Sequence, residues 1–306
     1  MEIKPVLLIF FNRPDTFCRV FEQVRKAKPN KLYLAQDGPR NEGDLDGISE
    51  CRRIAENIDW ECEVFKNYSE VNLGCGLRPS TAISWALSKE ESIIILEDDC
   101  VPSISFFRYC SELLEKYKLD TRIGMVSGLN HFEYWDCDYS YFFTKSGAIW
   151  GWATWARAWQ FYDYNLQNFN TVNKKLLFSN INNKRIAKRR IALWEKTYRL
   201  TSKQEQISYW DIQWGLIKFL QSQMVIVPKE NMITNIGVGA TSTHAKKTKN
   251  NKNTGFFNIS NHEINEIKHP PYMLIDKRYD DKVYKICYPS FFRKNLERFL
   301  RIILKK

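Results

Sequence analysis

Three consecutive carboxylates, Glu97-Asp98-Asp99, follow directly on the apolar run Ser92-Ile93-Ile94-Ile95-Leu96. Acidic side chains crowded at the end of a buried run are costly unless something positive compensates them. A hard divalent cation, Mn2+ or Mg2+, bridging to phosphate oxygens is a natural compensation, and such an ion takes only one or two protein carboxylates. The plainer alternative is a solvated turn at a strand end. The apolar strand before the triplet and Cys100-Val101-Pro102 after it favour a turn that is partly enclosed.

Another carboxylate placed for chemistry is Asp211, which precedes a helical pattern of Ile212, Trp214, Leu216, Ile217 and Leu220 and lies between Trp210 and Trp214. Apolar rings would raise its pKa toward the range useful for a general base. The same position suits an N-cap aspartate, and the two roles can coexist. Gly151-Trp152-Ala153-Thr154-Trp155 offers aromatic faces to a ligand, with Trp152 as the binding residue, although tryptophans more commonly fill cores. His244 follows a stretch containing Gly237 and Gly239, which would let the backbone approach a diphosphate closely. It is either a late metal ligand or an ordinary surface or core histidine.

These side chains need a frame. Residues 5–11 read as a buried strand, with Asn12-Arg13-Pro14-Asp15 as turn and helix start and Phe17, Val20, Phe21 and Val24 at helical spacing. Residues 32–35 form a second strand, 48–58 a helix, 61–65 a third strand, 79–89 a helix and 92–96 the strongest strand. This rhythm predicts an α/β fold with a mostly parallel sheet flanked by helices. Ligands of such sheets bind beyond the carboxyl ends of the strands. Asn12-Arg13, Asp37-Gly38, the glycine-bearing loop 72–76 and the acidic triplet would therefore converge on one edge. After residue 126 tryptophan becomes frequent and the rhythm weakens. Residues 174–206 read as one or two basic helices, 224–228 as a strand, and 246–253 as a polar loop.

The 306 residues suffice for one elaborated domain, and 44% hydrophobic with 26% charged residues is ordinary globular composition. A net charge of +11 calls for an anionic partner without choosing among nucleic acid, acidic lipid and diphosphate. Eight cysteines without a CxxC pair, beside four histidines, argue against structural zinc and for reduced thiols in the cytoplasm. No signal h-region or membrane-spanning run is expected. Residues 288–306 place Phe291, Phe292, Leu296, Phe299, Leu300, Ile303 and Leu304 on one helical face among basic residues. They read either as a membrane-surface helix or as a helix docked on its own domain.

Residues 6–15, Gln36-Asp37-Gly38, Asn72-Leu73-Gly74, Glu97-Asp98-Asp99, Ser127-Gly128, residues 151–155 and Trp210-Asp211 occur in the order seen in GT-A glycosyltransferases. Over residues 5–245 the chain resembles the N-acetylglucosaminyltransferase I group and its bacterial relatives. The resemblance implies a GT-A (Rossmann-like) fold and a metal-dependent inverting transfer of a sugar, such as N-acetylglucosamine, from a UDP-sugar to a glycan or lipid-linked glycan. The Asn/Lys/Ile usage and the lack of an expected signal anchor point to a bacterial chain. The expected setting is therefore surface polysaccharide or lipopolysaccharide assembly, with the basic tail on the cytoplasmic face of the inner membrane and no nucleic acid. The resemblance assigns Asp99 to the metal, with His244 as a second ligand, and Glu97 and Asp98 to the donor sugar and ribose. Asp37 goes to the base, Arg13 to the base or diphosphate, and Asp211 to general-base catalysis. The expected organisation is a nucleotide-sugar half at 1–125 and an acceptor half of the same domain at 126–245. A mobile loop and linker at 246–287 and the basic amphipathic C-terminal helix at 288–306 complete it. The rivals are a sugar-nucleotide pyrophosphorylase, which should carry a longer glycine- and lysine-bearing loop near its N-terminus, and a nucleic-acid- or membrane-binding protein.

Overall fold

The computed structural model describes residues 2–181, 183–237 and 259–287. In its first part, β1 (Val6–Phe10), β2 (Lys31–Gln36), β3 (Glu63–Tyr68) and β4 (Ser92–Glu97) alternate with α1 (Pro14–Ala27), α2 (Leu45–Ala55) and α3 (Gly74–Leu87). There follow β5 (Cys100–Pro102), α4 (Ser105–Lys116), β6 (Ile123–Ser127), β7 (Tyr141–Thr144), β8 (Trp152–Trp155) and the single turn α5 (Ala156–Trp159). Next come α6 (Lys174–Ser179), α7 (Lys184–Ser202), α8 (Asp211–Leu220), β9 (Met224–Pro228), β10 (Ile233–Asn235) and α9 (Lys277–Cys287).

One eight-stranded sheet takes the order β3-β2-β1-β4-β8-β6-β9-β7, while β5 and β10 pair separately. β1 to β4 are parallel, β8 is antiparallel to both β4 and β6, β9 is parallel to β6, and β7 closes the edge antiparallel to β9. Only β7 and β8 therefore run against the rest, as expected of an α/β fold with a mostly parallel sheet. The sheet crosses position 125 without a break, because β8 hydrogen-bonds to β4 on one side and β6 on the other.

Strand alternation divides the core into two layers. Val6, Leu8 and Phe10 of β1 and Ile94 and Leu96 of β4 face α1, α2 and α4. Leu7, Ile9, Ile93 and Ile95 face α3, α5, α8 and α9. Both faces are covered, so these strands read as unbroken apolar runs. Burying a side chain of this size contributes about 1.5–3 kcal/mol. Phe17, Val20, Phe21 and Val24 are buried on α1, as their spacing predicts. A third cluster, around Leu166, Phe169, Ile186, Trp194 and Leu216, holds α6 and α7 against α8.

Three expectations are corrected. The helix expected at residue 79 begins at Gly74 and carries Pro79 inside it, so the supposed glycine-bearing loop is largely its first turn. Residues 259–287 are not a free linker. Ile275 bridges to Phe143, and α9 inserts Tyr279 and Val283 into the core, with Asp280 accepting hydrogen bonds from Thr144 Oγ1 and the Lys145 amide. Trp152, expected at the binding site, is fully buried in β8, where it stacks on Trp210 with ring centroids 5.7 Å apart. The polar loop 246–253 and the amphipathic tail 288–306 lie outside the described residues. Among the described residues no helix is long and apolar enough to cross a membrane.

Lys218 on α8 is buried, its Nζ 3.0 Å from Met125 Sδ. Burial, reinforced by Arg190 and opposed by Asp211, pushes its pKa down to about 7 from 10.5. Between those values the folded chain binds fewer protons than the unfolded one. Stability is therefore greatest above the ordinary lysine value and is lost as pH falls through the window to about 7. Lys218→Met should stabilise the protein by about 1–3 kcal/mol at pH 6 and by much less near pH 10. Denaturant titrations at the two pH values check this; an equal gain at both would mean the amine carries no buried charge.

Candidate functional site

The carboxyl ends of β1, β2 and β4 open into a cavity of about 290 Å³. Its lining includes Asn12, Arg13, Asp37, Arg40, Asn72, Arg78, Glu97 and Asp98. Four residues singled out from the sequence, Arg13, Asp37, Glu97 and Asp98, thus meet in one space. The reason is topological. Parallel neighbours end at the same edge, and each chain turns there into the helix that covers the sheet.

Arg13, just before α1, is the cation of the acidic triplet. Its guanidinium pairs closely with Asp98 and, at 2.9 Å, with Asp99. Asp98 also accepts from the Phe11 amide at 3.3 Å. Burial raises the Asp98 pKa while Arg13 opposes the rise. The Glu97 carboxyl group makes no hydrogen bond among the described residues, and the residue keeps part of its surface open to the cavity. Burial first, then the charges of Asp99 and Asp98, push its pKa up to about 8, and Asp211 adds to the rise. With its pKa near 8, Glu97 holds its proton at neutral pH, and the charged carboxylates of the triplet, Asp98 and Asp99, are the two that Arg13 pairs.

Asp99 does not line the cavity. It turns toward the end of β10, where Asn235 Nδ2 is 3.5 Å from its Oδ1. A side chain at position 237 would collide with its carboxylate, so the backbone passes that close only as Gly237. Asp99 is the carboxylate nearest this backbone, and both its oxygens are engaged, one by Arg13 and one by Asn235. Among the described residues no group of three His, Cys, Asp or Glu side chains is gathered to hold a metal ion unaided. His244 lies outside the described residues.

Asp37 has a structural task that its Asp-Gly setting did not disclose. Its carboxylate accepts from the amides of Gly38 at 3.0 Å, Leu73 at 2.8 Å and Gly74 at 2.9 Å. It therefore caps α3 from a distant turn and occupies the amides that a helix start would otherwise offer to an anion. The positive charge facing the cavity comes from side chains instead.

Two of these arginines were missed in the sequence. Arg40 is oriented by Asp44, at 2.9 Å from Nε and 2.7 Å from the terminal nitrogen, and lies over the Phe11 ring. Arg78 is 4% exposed and pairs with Asn67, while its Nε has no hydrogen-bond partner. A buried guanidinium with an unsatisfied donor on a cavity wall is a ready anion site. Starting α3 at Gly74 would have placed Arg78 one turn into a helix at the strand edge, which is the signal that could have found it.

Asp211 is the first residue of α8, after Trp210, rather than its N-cap. It is half-buried and close enough to Glu97 and Tyr162 to act on both electrostatically. The segment before it is locked to α3. Cys75 Sγ lies 3.2 Å from the Ser208 carbonyl, and any side chain at Gly76 would strike the carbonyl of Ile207.

The class these features define is an α/β protein with an acidic and arginine-lined cavity at the carboxyl edge of its sheet. No family model matches the chain, and no curated protein matches it. Among solved structures it is similar to HddC from Yersinia pseudotuberculosis, with 12% identity and a TM-score of 0.28 over 41% of this chain. That match spans 57% of HddC's own length. It is also similar to a UDP-glucose pyrophosphorylase complexed with UDP-glucose, with 9% identity and a TM-score of 0.37 over 76% of this chain and 92% of that one. At these values neither likeness bears on the activity, and the α/β class follows from the strand order and directions themselves.

Proposed function

We propose that the protein is a metal-dependent inverting glycosyltransferase that moves a sugar from a UDP-sugar to a glycan acceptor. The observation that carries this reading is the opposition, in one cavity, of the unpartnered Glu97 carboxyl group to Arg13, Arg40 and Arg78. A nucleoside diphosphate-sugar presents matching needs, anionic oxygens at one end and hydroxyl donors at the other. Arg78 and Arg40 would take phosphate oxygens, and Arg13, already shared between two carboxylates, would stay near the diphosphate. Glu97 and Asp98 would accept from sugar and ribose hydroxyls. Asp37 would keep the edge of α3 in place beside the base. A divalent cation, Mn2+ or Mg2+, held by Asp99 with phosphate oxygens and water, would neutralise the charge of the departing diphosphate.

Asp211 would take the proton from the attacking acceptor hydroxyl. N-acetylglucosamine as the sugar is what the sequence resemblance adds; a surface polysaccharide as the product rests on the Asn/Lys/Ile usage, and attachment to the inner membrane surface on the basic tail at 288–306. Titration calorimetry with UDP, CDP and GDP, each with and without manganese, tests the donor reading. UDP should bind, and bind far more tightly with the metal. Binding of none of the three would overturn the reading. Synthesis of a UDP-sugar from UTP and a sugar 1-phosphate would replace the transferase with a pyrophosphorylase.

A further inference from the structure

A second cavity, of about 620 Å³, lies between the first turn of α3, the loop at Asn165 and the C-terminal end of α7. We propose that it binds a neutral, hydroxyl-rich glycan; that this glycan is the acceptor rests on the transferase reading above.

The chemistry of the walls points to that ligand class. Although the chain holds 46 lysines and arginines, none lines this cavity, and Glu205 is its only carboxylate. A phosphate or an acidic glycan would find no counter-charge here, unlike in the arginine-lined cavity. The walls instead carry carboxamides and hydroxyls. The carboxamides of Asn165, Gln167 and Gln204 make no hydrogen bond among the described residues. Each can both donate and accept, as paired sugar hydroxyls require. Tyr164 and Tyr198 add half-buried rings whose apolar faces suit sugar C–H surfaces.

The backbone between Asn165 and Gln167 is strained. Leu166 has φ of 52°, a left-handed value that a bulky non-glycine residue seldom adopts. Gln204, with φ of 57°, is instead the left-handed cap that closes α7, its amide donating to the Thr201 carbonyl and that of Glu205 to the Leu200 carbonyl. Leu166 is 2% exposed, so core burial anchors the loop and points its neighbours Asn165 and Gln167 outward. Thr201 Oγ1 donates to the Asn165 carbonyl at 2.8 Å and ties the loop to α7. Strain at Leu166, kept in place by core packing on one wall of a polar cavity, holds Asn165 and Gln167 in fixed positions.

The two cavities share one wall residue. Asn72 lines both. Gln206 Nε2 lies 3.4 Å from the Leu73 carbonyl, and residues 206–211 run from this cavity along α3 to Asp211. A glycan seated here would lie beside the donor cavity, along the segment that ends at the proposed base.

Saturation-transfer NMR with the methyl β-glycosides of glucose, galactose and N-acetylglucosamine, each at millimolar concentration without nucleotide, tests the proposal. At least one should bind the wild-type protein, and Asn165→Ala/Gln167→Ala should weaken it at least tenfold. Both positions are exposed, and an unchanged UDP titration serves as the control for folding. The proposal is overturned if no glycoside binds, or if the double variant binds as well as wild type. Glycoside binding without UDP binding would keep this site and remove the transferase reading. UDP binding without any glycoside binding would do the reverse.

Discussion

Asp211→Asn should lower kcat for sugar transfer by about 10²- to 10⁴-fold, the range removed with a positioned general base. UDP affinity and folding stability should stay close to wild type. The substitution separates two explanations of the residue. Asp211 opens α8, where a negative charge complements the helix dipole for about 0.3–1 kcal/mol. Asparagine keeps the shape and hydrogen-bonding reach of aspartate but cannot take up a proton from an attacking hydroxyl. A residue that only steadied α8 would thus show a small fall in stability and near-normal kcat. Measuring kcat with saturating donor, alongside a UDP titration, reads the two apart. Near-wild-type turnover would move the base to another residue, with Glu97 first in line because its carboxylate faces the donor cavity unpartnered.

Asp99→Ala has the second large effect, and it falls on binding rather than turnover. UDP affinity measured with manganese should drop to the value measured without it, so that the metal no longer matters. Arg13 makes the outcome specific. In the structure its guanidinium is shared between Asp98 and Asp99, and losing Asp99 leaves the pair with Asp98 intact. Metal-free UDP affinity should therefore be preserved. A fall in both conditions would mean that Asp99 acts by holding Arg13. Persisting manganese dependence would take the cation away from Asp99 altogether.

Much of the site's location was legible in the chain because it depends on local pattern. β1 and β4 are apolar runs of strand length, α1 announces itself by the spacing of Phe17, Val20, Phe21 and Val24, and the acidic triplet abuts β4. Parallel strands with helical crossovers bring their carboxyl ends to one edge, so Arg13, Asp37, Glu97 and Asp98 could be grouped from order alone.

Contacts between distant residues were not legible. The start of α3 was misplaced at Pro79, since proline favours the first turn of a helix. The cap that lets α3 start at Gly74 is Asp37, on another strand end. With that start went Arg78, whose burial only the folded helix shows. Trp152 could have served as a sugar platform or as core. It became core because β8 inserts antiparallel between β4 and β6, turning it toward Trp159, Trp210 and Trp214.

The sequence by itself determined the sheet's parallel half, the helices that cover it and the acidic edge, because periodicity and turn chemistry act over a few residues. Only the tertiary structure decided which carboxylates stay unpaired, which arginines face them and where a second, uncharged cavity opens. Each of those outcomes is set by burial and pairing across long stretches of chain, and no local pattern encodes them.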